Sequence, residues 1–276
     1  MKMKWVLFLI PLWLLSTAAP LLAEIPSHPL LEKAQRERRP RVQYALDNGA
    51  TIHLTDDGKS FYVLWLPEGS DPQNPPPIMA TIHGHDGWAF DDFFVWHRFA
   101  KERGFGVLAV QWWLGEGERF QDYLNPQEIY RVIDSVFQEK HVKPGAALFQ
   151  GFSRGSANSY AVAAVDRTQG KSYFSLFIAN AGKASVDFPP NKDIQNGRFG
   201  EQPLQGTHWV TYAGAKDTHP DRDGIAGMRE AAQWIQKYGG TVDLAIEDPA
   251  GDHGGFHRNP QNVNAALDIF DKLRTK

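Results

Sequence analysis

Ala146-Ala147-Leu148-Phe149-Gln150-Gly151-Phe152-Ser153-Arg154-Gly155 begins as a short apolar run, breaks at a glycine, presents a serine and continues from Ser156 to Val165 in residues that favour a helix. That order predicts a strand, a sharp turn and a helix, with the serine at the tip of the turn. The pattern is G-x-S-x-G. A serine hydroxyl attacks a carbonyl only if it projects clear of the backbone, and a turn tight enough to project it leaves room for little beyond glycine on either side. Ser153 is therefore the candidate nucleophile. The amide of Arg154, at the start of the new helix, would point at the oxygen on which negative charge develops. A five-residue pattern is weak alone, because a serine before a helix also serves as a cap. Its weight depends on a strand before it, a helix after it, and an acid and a histidine further along the chain.

Working outward, strands and helices alternate. Ile52 to Leu54 and Phe61 to Leu66, separated by Asp56-Asp57-Gly58-Lys59, read as a strand pair joined by a turn. Ile78 to His83 reads as a buried strand ending in the loop Gly84-His85-Asp86-Gly87. Asp91 to Arg103 has helical spacing and Gly106 to Trp113 is the next apolar run. A Gly- and Glu-rich loop (114–122) precedes a helix from Asn125-Pro126 to Lys140. After the serine helix come strands at 173–179, 208–213 and 242–246, and helices at 224–238 and 260–273. Residues 183–206 are polar and irregular and read as an insertion over the top of the sheet. Residues 24–50 read as a polar segment with a short solvated helix before Pro40. Alternation of this kind argues for βαβ crossovers: an α/β class with a mostly parallel sheet, helices on both faces and an antiparallel N-terminal edge.

Composition narrows the function. Of 276 residues, 29 are basic and 32 acidic, a net charge of -3 that gives no electrostatic reason to expect nucleic acid or an anionic membrane as partner. There is no cysteine, so disulfides, thiol nucleophiles and cysteine-type zinc sites are excluded. Lys2 and Lys4, the apolar run Trp5 to Leu15, and small residues leading to Ala23 before Glu24 read as a secretory signal peptide cleaved after Ala23. Pro11 and Pro20 interrupt the apolar stretch and argue against a lasting membrane anchor. The expectation is an exported chain with one domain over 24–276 and no stable membrane insertion after cleavage. The sequence does not give the oligomeric state.

A serine hydroxyl is a poor nucleophile without a base, and the base needs an orienting group. In an open α/β sheet such groups lie at the carboxyl ends of strands. Two of those ends after Ser153 carry suitable residues: Asp217, past the strand at 208–213, and His253, in a glycine-flanked loop before the last helix.

With these residues in place, the chain from Ile78 to Phe256 resembles the α/β-hydrolase superfamily. It resembles more loosely its secreted esterases related to dienelactone hydrolases and polyhydroxybutyrate depolymerases. The likeness is carried by His83-Gly84-His85-Asp86-Gly87, Gly151-Phe152-Ser153-Arg154-Gly155, Asp217 and His253-Gly254-Gly255-Phe256, in that order. It implies a triad of Ser153 as nucleophile, His253 as base then acid, and Asp217 as orienting carboxylate. It also implies that the amide of His85 joins that of Arg154 in an oxyanion hole, with His83 orienting the loop. The implied activity is cleavage of carboxylic esters through an acyl-enzyme, on small or polymeric substrates, with no cofactor.

Each assignment has a rival. His257 competes as base, although it sits at the lip of the last helix. Asp221, Asp223, Asp252 and Asp187 compete as the acid, and Asp223 also suits a helix N-cap. His83 and His85 share a face at strand spacing and so allow a zinc reading, but Asp86 follows at once with no third histidine beside it. Trp88 follows the oxyanion loop and Trp112-Trp113 end a strand on the same side, so these three are the candidate walls of a substrate pocket. Two other functions remain: a serine peptidase of the same fold, which lacks any added specificity domain here, and a catalytically inactive binding protein on the same scaffold.

Overall fold

The computed structural model describes residues 25–185 and 187–274. The expected signal peptide over 1–23 lies outside the described residues. In chain order the elements are α1 (Pro29–Glu37), α2 (Arg39–Asp47), β1 (Thr51–Leu54), β2 (Phe61–Trp65), β3 (Ile78–Ile82), α3 (Ala89–Arg103), β4 (Gly106–Val110), α4 (Pro126–Glu139) and β5 (Ala147–Phe152). They continue through α5 (Arg154–Thr168), β6 (Phe174–Asn180), α6 (Pro189–Gln195), β7 (His208–Gly214), α7 (Ile225–Lys237), β8 (Thr241–Asp248), α8 (Gly255–Arg258) and α9 (Pro260–Arg274).

The strands form one sheet in the order β1-β2-β4-β3-β5-β6-β7-β8. The pairs β1–β2 and β2–β4 are antiparallel. Every pair from β4 through β8 is parallel. This is the mostly parallel sheet with an antiparallel edge that the alternation of elements predicts. All residues of β3 and β4 are buried, as strands covered on both faces must be. On one face α5 meets α7 through Tyr160 and Trp234, ring centres 5.5 Å apart. On the other, Arg103 of α3 pairs with Asp271 of α9 at 2.8 Å, and Phe105 packs edge-on against Phe270. The parallel register sets Ile82 beside Gly151 and Phe152 beside Asn180, so the carboxyl ends of the central strands finish level.

Two expectations need correction. Residues 24–50 are not one solvated helix but two, α1 and α2, which bury Leu30, Leu31, Ala34, Val42 and Ala45. Pro40 does not end a helix. It sits in the first turn of α2, where a missing N–H costs nothing. The charged residues conceal a narrow apolar stripe on each helix. Arg38 and Arg41 reach Asp91 at the start of α3 (3.1 and 3.0 Å), fixing these helices beside the loop after β3. The segment 183–206 is also more ordered than expected, since it contains α6, opened by a proline pair.

Candidate active site

Ser153 lies between β5 and α5 with φ 54° and ψ -116°, in the left-handed region that residues with a side chain rarely adopt. The turn is held from both sides. The Ser153 amide donates to the carbonyl of Asn180 at 2.8 Å. At Gly155, a Cβ would come within 2.5 Å of the Ile82 carbonyl oxygen, so α5 starts against the end of β3 and glycine is required.

Asp217 and His253 meet because the loops after β7 and β8 are stitched together. The Ala215 amide donates to the Asp248 carbonyl and the Lys216 amide to the Gly251 carbonyl, both at 2.9 Å. Asp248 shapes the second loop by accepting from the amides of Ala250 and Gly251. The result is a continuous chain of hydrogen bonds. The Ser153 hydroxyl donates to His253 Nε2 at 2.8 Å, and His253 Nδ1–H donates to Asp217 Oδ2 at 2.7 Å. The Asp217 side chain is wholly buried, whereas the His253 ring keeps about a third of its surface, 35%, exposed. The remaining Asp217 oxygen accepts from the His219 amide at 2.8 Å, which fixes the carboxylate plane. Such an arrangement can take a proton from Ser153 while holding the imidazole in the tautomer that accepts it.

The rivals fall elsewhere. His257 packs edge-on against Trp96, ring centres 4.7 Å apart, and burial pushes its pKa down to about 3. Asp252 bonds the Gly254 amide and Arg258. Asp187 and Asp221 are exposed. Asp223 comes closer: one oxygen each from Asp217 and Asp223 and a ring nitrogen of His253 lie within 4.8 Å of one another. Its carboxylate is taken up by Arg222 at 2.6 Å, so a metal there would have to displace both this pair and the bond from His253 to Asp217. His83 is fully buried with Nδ1 on the Gly84 carbonyl at 2.8 Å, and burial drives its pKa down to about 4. It braces the loop through Nδ1, and its Nε2 is buried without a hydrogen-bond partner.

A cavity of about 450 Å³ opens beside Ser153. The aromatic wall expected from Trp88, Trp112 and Trp113 is not there. Trp88 and Trp112 are wholly buried and Trp113 nearly so. Their indole N–H groups are spent on Glu37 (3.2 Å), the His83 carbonyl (2.8 Å) and the Gly117 carbonyl (3.0 Å), so they build the floor and the flanking loop. The cavity is lined instead by His85, Glu118, Arg154, Phe188, Arg222 and Asp223 among others. Spacing alone could not separate a tryptophan beneath the loop from one lining the cavity.

Tyr123 is the residue that sequence reasoning missed. Its hydroxyl is 2.8 Å from His85 Nδ1, and the Arg154 guanidinium lies over its ring at 4.2 Å. No sequence signal marked it, since it follows a loop notable only for glycine and glutamate.

No family model matches the sequence, and no curated protein matches it. Solved structures do. One, from work on two fungal esterases of Rhizomucor miehei, superposes with a TM-score of 0.63 at 17% identity, covering 91% of this chain and 92% of that one. An esterase of Pyrobaculum calidifontis gives 0.59 at 15% identity (91% and 99% covered). A bacterial heroin esterase gives 0.58 at 17% identity (91% and 94% covered). At such identities the likeness is one of fold: this chain has the α/β-hydrolase fold.

Proposed function

We propose that this α/β-hydrolase-fold chain is a serine hydrolase that cleaves carboxylic esters through an acyl-enzyme. The observation that carries the reading is the unbroken hydrogen-bonded chain from Ser153 through His253 to the buried Asp217, with the serine on a left-handed turn at the head of a helix. Ser153 Oγ attacks the ester carbonyl as His253 Nε2 takes its proton. His253 then gives that proton to the departing alcohol, and water repeats the sequence to release the acid. Asp217 holds the ring and faces the imidazolium that forms. The amides of His85 and Arg154 are assigned to the oxyanion. Arg154 is the first residue of α5, so its amide has no carbonyl within the helix to bond. All of this is done by side chains and amides of the chain, with no cofactor.

A cavity of about 450 Å³ suits the short acyl or alcohol part of a small ester, and the solved structures of similar fold being esterases points the same way. We read residues 1–23 as an export signal, so the mature chain would begin at Glu24 and act outside the cytoplasm. Mass spectrometry of the mature N-terminus checks this. The activity is tested with a p-nitrophenyl ester and Ser153→Ala. The variant should keep its fold and lose turnover by a factor on the order of 10⁴ or more. A fluorophosphonate should label the native chain and not the variant. Undiminished turnover in a folded Ser153→Ala chain would overturn the reading.

A further inference from the structure

Resting on that reading, we infer that Tyr123 is a positioning residue for the oxyanion hole, because its single side chain engages both residues whose amides are assigned to it. The loop after β4 folds back on itself to bring Tyr123 there. Leu114 donates to the Asp122 carbonyl at 2.9 Å, Leu124 donates to the Trp112 carbonyl at 2.7 Å, and Trp113 and Tyr123 form an antiparallel bridge. Trp112 backs the tyrosine ring at 4.6 Å and donates through its indole to the His83 carbonyl at 2.8 Å. The loop after β4 therefore holds the loop after β3 at both ends of His83-Gly84-His85.

The hydroxyl end of Tyr123 acts on the His85 side. His85 Nδ1 lies 2.8 Å from the phenolic oxygen. The other ring nitrogen faces the carboxylates of Asp86 (3.4 Å) and Glu118 (3.8 Å). The phenol thus donates to Nδ1 while Nε2 keeps its proton toward the acids. Asp86 carries a positive φ of 52°, a conformation that a non-glycine residue keeps only where neighbours hold it. Tyr123 restrains this turn through His85, the residue just before it. The face of the same ring supports the Arg154 guanidinium at 4.2 Å, with Phe188 further off at 5.9 Å. Arg154 has its Nε buried without a hydrogen-bond partner, so stacking on the ring is what orients it. A donor contributes fully only when aimed at the developing oxyanion. Tyr123 thus acts on the donor of His85 by restraining the loop that carries it, and on the Arg154 side it fixes the guanidinium while the elbow itself holds the amide.

Tyr123→Phe removes the hydroxyl and keeps the ring, whereas Tyr123→Leu removes both. Active sites are titrated with a fluorophosphonate, so rates refer to folded, competent protein. With a p-nitrophenyl ester, Tyr123→Phe should lower kcat by about tenfold, less than the 10²–10³ lost when a donor is removed outright, and Tyr123→Leu should lower it further. KM should stay within about twofold, since ground-state binding does not use the oxyanion hole. The inhibition constant of an alkyl boronic acid, whose adduct with serine is tetrahedral and anionic, should rise by the same factor as kcat/KM falls. Tyr173→Phe, which removes a hydroxyl bonded to Asp134 far from the site, should lower stability without moving kcat. If Tyr123→Phe does not fold, His85→Leu cuts the same tie from the exposed side and should lower kcat and boronate affinity by a like factor, while its KM also answers to the lost cavity wall. When both fold, the double variant should be no worse than the poorer single one. A kcat and boronate affinity within twofold of the native chain in Tyr123→Phe, or strictly additive losses in the double variant, overturn the inference and leave the serine-hydrolase reading standing. Turnover that survives Ser153→Ala overturns both.

Discussion

The half of the site hung from β5, β7 and β8 and the half hung from β3 and β4 are built by opposite means. The first is made of side chains bonded to side chains: Ser153, His253 and Asp217 are far apart in sequence and are joined by two short hydrogen bonds. The second offers main-chain amides, and side chains enter it only as supports, with Trp112 under His83, and Tyr123 under His85 and Arg154. A side-chain site demands particular residue types. A main-chain site demands only a backbone held in the right place, which many different side chains can do. The acid–base half should therefore fail abruptly on single substitutions, and the oxyanion half by degrees.

The largest test of that contrast is Asp217→Asn. The amide keeps the shape but offers a donor where His253 Nδ1 needs an acceptor, so the ring is driven to the wrong tautomer and kcat should fall by a factor on the order of 10⁴. Asp223→Asn should fall far less, because the Asp223 carboxylate is bound to Arg222 and not to the ring. Ester turnover of the two variants side by side checks this. Equal losses would make the two carboxylates one unit and blur the difference between the halves.

The two halves touch where the start of α5 meets the end of β3. A methyl group at Gly155 would press on the Ile82 carbonyl at 2.5 Å and the His83 carbonyl at 2.6 Å, and backbone cannot swing aside. Gly155→Ala should cost about 1–3 kcal/mol of stability and spread Ser153 from the oxyanion loop. Denaturant unfolding should show the first, and a fall in kcat per titrated site the second. Wild-type stability in Gly155→Ala would mean that the elbow has slack the structure does not display.

What was legible in the sequence follows the same division. Ser153, Asp217 and His253 stood out because their chemistry is rare at strand ends, and the strand and helix pattern around them was readable because β3 and β4 are continuously apolar and α4 opens with Asn125-Pro126 as cap and first residue. Tyr123 did not stand out, and the tryptophans misled, because an aromatic residue near a loop looks the same whether it lines a cavity or carries the loop from below. The first two helices were hidden for a different reason. Arg36, Glu37, Arg38 and Arg39 dominate a stretch whose buried residues, Leu30, Leu31 and Ala34, occupy a single stripe, and the charges on the outer face read as the character of the whole.

Beneath both halves lies a buried polar row that belongs to neither, and its response to pH is the smallest expected effect. Thr81 Oγ1 is 2.6 Å from Asp92 Oδ2 and 2.6 Å from Gln150 Oε1, and Trp96 Nε1 donates to the same glutamine oxygen at 3.1 Å. A hydroxyl has one proton and cannot serve both oxygens. The row closes if Asp92 is protonated and donates to Thr81, which then donates to Gln150. Burial accordingly raises the Asp92 pKa from 3.8 to about 7. Between those values the folded chain keeps a proton that the unfolded chain releases, so this contribution is complete below about pH 4 and is lost as pH rises through 7. His257 acts in the opposite direction. With its pKa lowered to about 3, the unfolded chain takes up a proton that the folded chain refuses, and stability falls as pH drops from 6.5. Asp92→Asn keeps the donor to Thr81 without a charge to bury. It should unfold in urea like the native chain at pH 4, and at pH 8 exceed it by about 1 kcal/mol or more. His257→Leu should lessen the loss on the acid side alone, His83 keeping its own share. A stability difference between the native chain and Asp92→Asn that does not change between pH 4 and pH 8 would place the proton elsewhere and leave Thr81 with two acceptors, which its single hydrogen cannot satisfy.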